Sequence, residues 1–232
     1  MYKNNKILAI VPARGGSKGL KNKNLKKINN QSLIELTANL LNKVKIIDYK
    51  VISSDKKKIN LEANKFKLNY LFDRPKFLSG DRISDINVLN FTLKKVEKIL
   101  NQKFDIILLI QVTCPLRKKI HIEKAIKLLI KKKYDAVWSV NKIDKKYHPF
   151  KQLLIKNNKL KFFDKNMGKK IIARQQLNNT FIRNGAVYAF TRSSILKNDA
   201  LPNNSGFIET EELISIDNLV DLKKVEKLKR SF

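Results

Sequence analysis

Short unbroken apolar runs recur along the chain, and the stretches between them carry apolar residues at helical spacing, with Lys and Asn at the intervening positions. Such runs suit strands covered on both faces. They predict strands over Ile7 to Pro12, Lys50 to Ser53, Asn69 to Phe72, Asp105 to Gln111, Ala136 to Val140 and Ala186 to Phe190. The helical periodicity predicts helices over Ser32 to Leu41, Lys56 to Phe66, Ser84 to Leu100 and Ile120 to Lys132, with a last one over Leu219 to Lys229. Ser32 followed by Glu35 is a capping-box start for the first of these. Strands and helices in regular alternation mark βαβ units, which gives an α/β fold with a Rossmann-like, mainly parallel sheet covered by helices on both faces. From Asn141 to Thr180 the alternation lapses. That stretch is too long for a simple connection and reads as an inserted hairpin or arm on a single domain spanning residues 1–232.

A chain of 232 residues with 43% hydrophobic content supports one sizeable core but not two catalytic domains. No apolar run approaches the roughly 20 residues that span a bilayer. The first residues, Met1 to Lys6, are polar, so a soluble, cytoplasmic protein with no membrane partner is expected. The single cysteine, Cys114, excludes an intramolecular disulfide and a cysteine-built metal site, and is expected as a small buried side chain. The formal charge of +30 changes the picture more, because it suggests a polyanionic partner. Yet 42 of the 50 basic residues are Lys, scattered through nearly every segment beside Asn and Ile, which share A/T-rich codons. Base composition alone produces that pattern. No aromatic-rich RNP run, zinc-finger spacing or compact Arg patch accompanies it, so a basic nucleic-acid-binding module is the weaker reading and no nucleic-acid partner is expected.

In an open parallel sheet, ligands bind beyond the carboxyl ends of the strands. The first predicted strand is followed by Pro12-Ala13-Arg14-Gly15-Gly16-Ser17-Lys18-Gly19-Leu20-Lys21-Asn22-Lys23-Asn24, a glycine-rich turn with one Arg and three Lys. Glycines let backbone N–H groups approach phosphate oxygens, while Arg14, Lys18 and Lys23 can neutralise phosphate charge. The loop lacks the Gly-Lys-Ser/Thr ending of a Walker A loop and the G-x-G-x-x-G spacing of a dinucleotide fold. It points to a polyphosphate held in another way.

Val11-Pro12-Ala13-Arg14-Gly15-Gly16-Ser17-Lys18-Gly19, with Lys23-Asn24, resembles the nucleotide loop of the CMP-N-acylneuraminate synthetases, or acylneuraminate cytidylyltransferases. Arg74-Pro75, Gln111-Val112-Thr113-Cys114-Pro115-Leu116-Arg117, Arg174-Gln175-Gln176-Leu177, Asn184-Gly185-Ala186-Val187-Tyr188 and Ile216-Asp217 through Asp221-Leu222 resemble that family's later motifs in the same order. The loop alone leaves the wider sugar nucleotidyltransferases open, and the Gln-x-Thr-x-Pro-Leu-Arg and Arg-Gln-Gln-Leu elements favour the acidic nonulosonate branch. The resemblance implies a sheet of the nucleotide-diphospho-sugar transferase type. It also implies attack of a sugar's anomeric hydroxyl on the α-phosphorus of CTP, releasing pyrophosphate, for cell-surface glycan biosynthesis. CTP and an acidic nine-carbon sugar are the implied partners, with Kdo, pseudaminic-type or legionaminic-type acids as alternatives. Arg14, Gly15, Ser17, Lys18, Asn24, Arg74 and Ser84 would then hold the nucleotide, and Lys23 would lie near the α-phosphate. Gln111, Arg174, Asn184 and Tyr188 would face the sugar, and Lys23, Arg174 and Asp217 would form the catalytic set.

The same resemblance implies Mg²⁺, or another divalent cation, with Asp217 as its protein ligand, since Mg²⁺ commonly binds through one or two carboxylates plus substrate phosphates. The family motif commonly reads Asp-Ile-Asp where this chain has Ser215-Ile216-Asp217. Alternation puts 215 and 217 on one face of a strand, so a neutral oxygen stands in for a carboxylate. Asp221 is expected in the first turn of the last helix. Where the family places a serine pair, Ser84-Asp85 offers one serine. A homodimer is implied through the 141–180 insertion, whose Leu153, Leu154, Phe162 and Phe163 need an apolar surface to cover them. His121 and His148 have no catalytic partner at a diagnostic spacing and read as surface or packing residues, and Trp138 reads as core.

Overall fold

The structure, a computed structural model, describes residues 1–170 and 173–230. Its strands are β1 (Ile7–Pro12), β2 (Lys27–Ile28), β3 (Gln31–Ser32), β4 (Tyr49–Ser53), β5 (Ile106–Leu109), β6 (Ala136–Lys142), β7 (Leu153–Lys156), β8 (Lys159–Phe162), β9 (Phe181–Thr191) and β10 (Ser205–Glu209). The helices are α1 (Leu33–Lys43), α2 (Lys57–Lys65), α3 (Asp85–Leu100), α4 (Lys119–Lys132), α5 (Lys165–Gly168), α6 (Arg192–Leu196) and α7 (Leu219–Arg230). Six strands build the central sheet in the order β10-β6-β9-β5-β1-β4.

Side chains alternate across each strand, and the core divides accordingly. Along β1, Ile7, Ala9 and Val11 join one apolar cluster, which also holds Ile34 and Leu41 of α1, Ile59 of α2, Ile126 of α4 and Val225 of α7. Leu8 and Ile10 join the opposite cluster with Leu89, Leu93 and Val96 of α3 and Ile195 of α6. Helices therefore cover both faces, as the alternation predicts. The Ser32 hydroxyl accepts from the Glu35 N–H at 3.1 Å, which starts α1 where the capping pattern places it. No helix among the described residues is long and apolar enough to cross a membrane.

Three expectations are corrected. β9 contains the predicted Ala186 to Phe190 run but pairs antiparallel with both β5 and β6, while β1, β4 and β5 run parallel. The chain leaves β6 at Lys142, passes through the insertion and re-enters the sheet beside that same end, Lys142 opposite Phe181, which makes the pair antiparallel. Asn69 to Phe72 forms no strand. Asn69 alone bridges to Val51, after Lys67 turns the chain at φ 61°, and Arg74 is already tied back to the Ser54 carbonyl. β10, parallel to β6 at the sheet edge, has no counterpart among the predicted strands.

The 141–180 insertion does contain a hairpin. β7 and β8 pair antiparallel, with Asn157 and Asn158 at positive φ in the turn, as the right-handed twist of a tight hairpin requires. Every residue of both strands is exposed. Ile171 and Ile172 of this insertion, and Ser231 and Phe232, lie outside the described residues. His121 and His148 are buried packing residues. The imidazole of His121 lies 3.3 Å from Glu211, and burial lowers its pKa, which favours the neutral ring. Cys114 is buried as expected. Trp138 is only half-buried and stacks at a tilt on Tyr188, 4.9 Å between ring centres.

Candidate active site

β1 and β5 are parallel neighbours, so their carboxyl ends open on one edge of the sheet. β9 runs the other way and brings its early residues to that same edge, with Tyr188 opposite Leu109. The 212–217 segment returns there too, since the Ile216 N–H donates to the Thr113 carbonyl at 2.8 Å. Together these walls enclose a cavity of about 800 Å³, within the range typical of small-molecule sites.

One end of the cavity is cationic. Arg14 and Lys18 of the glycine-rich loop both pair with Asp81, Lys18 at 2.5 Å. Lys23 pairs with Asp217 at 2.8 Å. Arg74 is almost wholly buried: its Nε donates to the Ser79 hydroxyl at 3.1 Å, but Nη2 makes no hydrogen bond and stands 3.8 Å from Asp55. An unpaired buried donor costs roughly 1–3 kcal/mol, and an acceptor met by a small rotation of the guanidinium would remove that cost. The loop is held down by Asn24, whose amide donates to the Arg14 carbonyl at 2.9 Å. Gly19 passes so near the Asp217 carbonyl that a Cβ there would lie 2.5 Å from it, so glycine is required for the approach.

The other end is polar and of mixed charge, with Asp85, Arg183 and Glu212 also in the cavity wall. Gln111 lies at the end of β5, its amide 3.4 Å from Asp85 at the start of α3. Gly185, at φ +72°, faces Gln111 so closely that a Cβ would collide with the Gln111 amide oxygen. The Tyr188 hydroxyl accepts from the Gly185 N–H at 3.0 Å. Burial raises the pKa of this phenol, so it keeps its proton and can donate to a ligand but not serve as a base. Asn184 is fixed by a bond to the Thr210 hydroxyl at 2.8 Å and by accepting from the Ala186 N–H at 3.2 Å. Behind them the buried Arg117 donates to the carbonyls of Gln111, Gly185 and Ala186, which ties β5 to β9 at this end.

Of the residues singled out in the sequence, Arg14, Ser17, Lys18, Lys23, Asn24, Arg74, Gln111, Asn184, Tyr188 and Asp217 line this one cavity. Three do not. The Gly15 N–H donates to the Asp55 carboxylate at 2.8 Å, so its backbone is engaged in shaping the loop. Ser84 lines an adjoining recess of about 330 Å³ and makes no capping bond with its side chain. Arg174 is exposed on the insertion, bonded to Asp144 at 2.8 Å, and is absent from the cavity wall. Asp81 went unnoticed in the sequence, and Asp85 was named there only as the residue beside Ser84 where the family places a second serine; both line the cavity.

No group of three or more His, Cys, Asp or Glu side chains suited to a metal occurs among the described residues. The Asp217 carboxylate is open to solvent at the cavity wall, and Ser215 nearby is bonded to Thr113 at 3.2 Å. One exposed carboxylate fits a Mg²⁺ that arrives with phosphates, and does not fit a caged resident ion. Asp221 accepts from the N–H groups of Asp217 and Asn218, which makes it a first-turn residue of α7.

Residues 8–229 match the family described as cytidylyltransferase. The chain belongs to the cytidylyltransferase family. It is therefore a nucleotidyltransferase, and the nucleic-acid-binding reading gives way. This cytidylyltransferase is 28% identical over 226 residues to the post-translational flagellin modification protein B of Campylobacter coli, across 96% of this chain and 94% of that one. It is 29% identical over 226 residues to the CMP-N,N'-diacetyllegionaminic acid synthase of Campylobacter jejuni, with the same coverage of 96% and 94%. Among solved structures, a CMP:2-keto-3-deoxy-manno-octonic acid synthetase complexed with CTP matches with a TM-score of 0.74 over 97% of this chain and 99% of that one. At 16% identity that likeness is one of fold.

Proposed function

We propose that this cytidylyltransferase joins CMP from CTP to the anomeric hydroxyl of a nonulosonic acid, releasing pyrophosphate and supplying an activated sugar for cell-surface glycan assembly. The observation that carries the reading is the division of one cavity into an end rich in cations, with Arg14, Lys18, Lys23 and Arg74, and an end rich in hydrogen-bonding groups, with Gln111, Asn184 and Tyr188 beside Asp85, Arg183 and Glu212. A triphosphate needs the first and a polyhydroxylated acceptor the second. The relative named for a legionaminic acid supports an acidic sugar as that acceptor.

Transfer of a nucleotidyl group leaves little covalent work for the protein, so positioning and charge carry the rate. Arg14 and Lys18 exchange Asp81 for the β- and γ-phosphates. Lys23, oriented by Asp217, stands against the charge developing on the α-phosphate. Gln111, Asn184 and Tyr188 hold the sugar so that its anomeric oxygen lies in line with the leaving pyrophosphate. Asp217 would hold a Mg²⁺, which when bound neutralises phosphate charge and polarises the phosphoryl oxygens. Arg174, whose planar fork suits the sugar carboxylate, stands outside its own cavity on the exposed insertion. It meets a sugar only if the insertion of one copy reaches the cavity of another, so the reading includes a homodimer.

The test is pyrophosphate release with CTP, Mg²⁺ and a panel of eight- and nine-carbon ulosonic acids. The expected outcome is release that requires both CTP and a nine-carbon acid and fails with ATP, GTP or UTP. Release that ignores the acid, or none with any acid, overturns the assignment.

A further inference from the structure

A separate recess of about 280 Å³ opens between α1, the 114–117 loop and the end of α7. Among the described residues its wall includes Arg117, Lys43 and Lys229 and no carboxylate. Arg117 is the unusual member. It is 4% exposed, and its Nε and Nη2 are spent on three backbone carbonyls, yet Nη1 makes no hydrogen bond among the described residues. Arg117 does not line the main cavity, so the recess is where its residual exposure leads. Burial lowers the pKa of Lys229, and no acidic neighbour opposes the shift. A buried cation without a counter-charge is unfavourable, and no described residue of this wall supplies one.

We propose that this recess binds a small inorganic oxyanion of the phosphate class, held by Arg117 Nη1, Lys43 and Lys229. The volume, just below the roughly 300–1,000 Å³ typical of sites for larger organic ligands, leaves room for such an ion. The chemistry is shared by inorganic phosphate and by pyrophosphate. Because the other donors of Arg117 hold the carbonyls of Gln111 and Gly185, an anion on Nη1 steadies the sugar-facing end of the main cavity from behind.

The experiment is a melting-temperature titration of the full chain with phosphate, and separately with pyrophosphate, at constant ionic strength. It compares wild type, Lys43→Gln/Lys229→Gln and Arg14→Ala. A ligand that binds only the folded state raises the melting temperature with concentration. The expected result is such a rise in wild type and in Arg14→Ala, with the double variant needing at least about tenfold more anion for the same rise, the scale of a lost charge-assisted contact. A rise for either anion alone identifies the source and supports the site. A rise lost in Arg14→Ala places the anion in the main cavity and overturns the proposal. An equal rise in all three proteins, meaning an adventitious ion only, or no rise at all, overturns it too. Should the double variant fail to fold, Lys43→Gln alone carries the same comparison.

Discussion

Asp81 holds the place that a triphosphate needs. Its bonds from Lys18 and Arg14 keep the carboxyl pKa below the usual carboxylate range, so the carboxylate stays ionised at neutral pH and protonation does not free the two cations. CTP has to displace it. Asp81→Asn should therefore lower the KM for CTP by roughly two- to fivefold, the scale of an exposed ion pair, while a KM that rises would show that Asp81 assists the nucleotide. Asp217 makes the opposite prediction. Asp217→Asn removes the carboxylate assigned to the metal and to orienting Lys23, and should lower the rate by about 100-fold or more, the range for a lost electrostatic contact at a reacting phosphate. Ser215→Asp should reduce the Mg²⁺ concentration for half-maximal rate, because a second anionic oxygen joins the first. Near-wild-type rates for Asp217→Asn across a Mg²⁺ titration would leave the 215–217 segment a structural one. The glycine-rich loop and the residues after β5 were legible in the sequence because residue types and strand ends both point to a site, and Asn184 and Tyr188, which lie within β9, were legible through the family motif. Asp81 was not, since its place comes from folding the 79–84 segment against the glycine-rich loop.

Strands and helices were legible in type, and less so in direction. An apolar run such as Ala186 to Phe190 encodes burial on both faces, which a central antiparallel strand meets as well as a parallel one. β10 was hidden because Ser205 and Gly206 carry little strand propensity, and pairing along β6 overrides it. One tie between elements titrates. Burial alone would raise the pKa of Glu97 on α3, but the two-point bond from Arg192 and the Phe104 N–H outweigh it, and the net shift is downward. A carboxylate whose folded pKa is depressed stabilises the fold above its unfolded pKa of about 4.3 and loses that contribution as pH falls through the folded value. Glu97→Gln should thus be less stable than wild type by roughly 1–3 kcal/mol at pH 7, with the gap closing below about pH 4. Denaturant melts at both pH values check this, and a gap that persists in acid would mean that packing, and not charge, joins α3 to α6.

The whole molecule leaves its insertion uncovered. Ile155 is 77% exposed and Leu160 69%, with Leu153, Phe163, Phe181 and Phe207 also at the surface. Phe181 and Phe207 meet each other, 5.9 Å between ring centres, but the described residues leave these side chains largely open to solvent, which is why the sequence pointed to a second copy without saying how the copies meet. Light scattering at micromolar concentrations should give twice the 26.9 kDa chain mass, and Ile155→Glu/Leu160→Glu should return it to one chain. A wild-type mass of one chain would remove the dimer and the role given to Arg174. Underneath both lies the chemistry of one cavity at the carboxyl ends of β1 and β5, where the acceptor's own oxygen forms the new bond to phosphorus. Mass spectrometry of the reaction of CTP with a nonulosonic acid carrying ¹⁸O at its anomeric hydroxyl addresses that bond directly. Attack by that hydroxyl on the α-phosphorus leaves the heavy oxygen bridging sugar and phosphorus in a CMP-linked product, whereas pyrophosphate released alongside free CMP and unconverted labelled acid would show that water, and not the sugar, is the nucleophile.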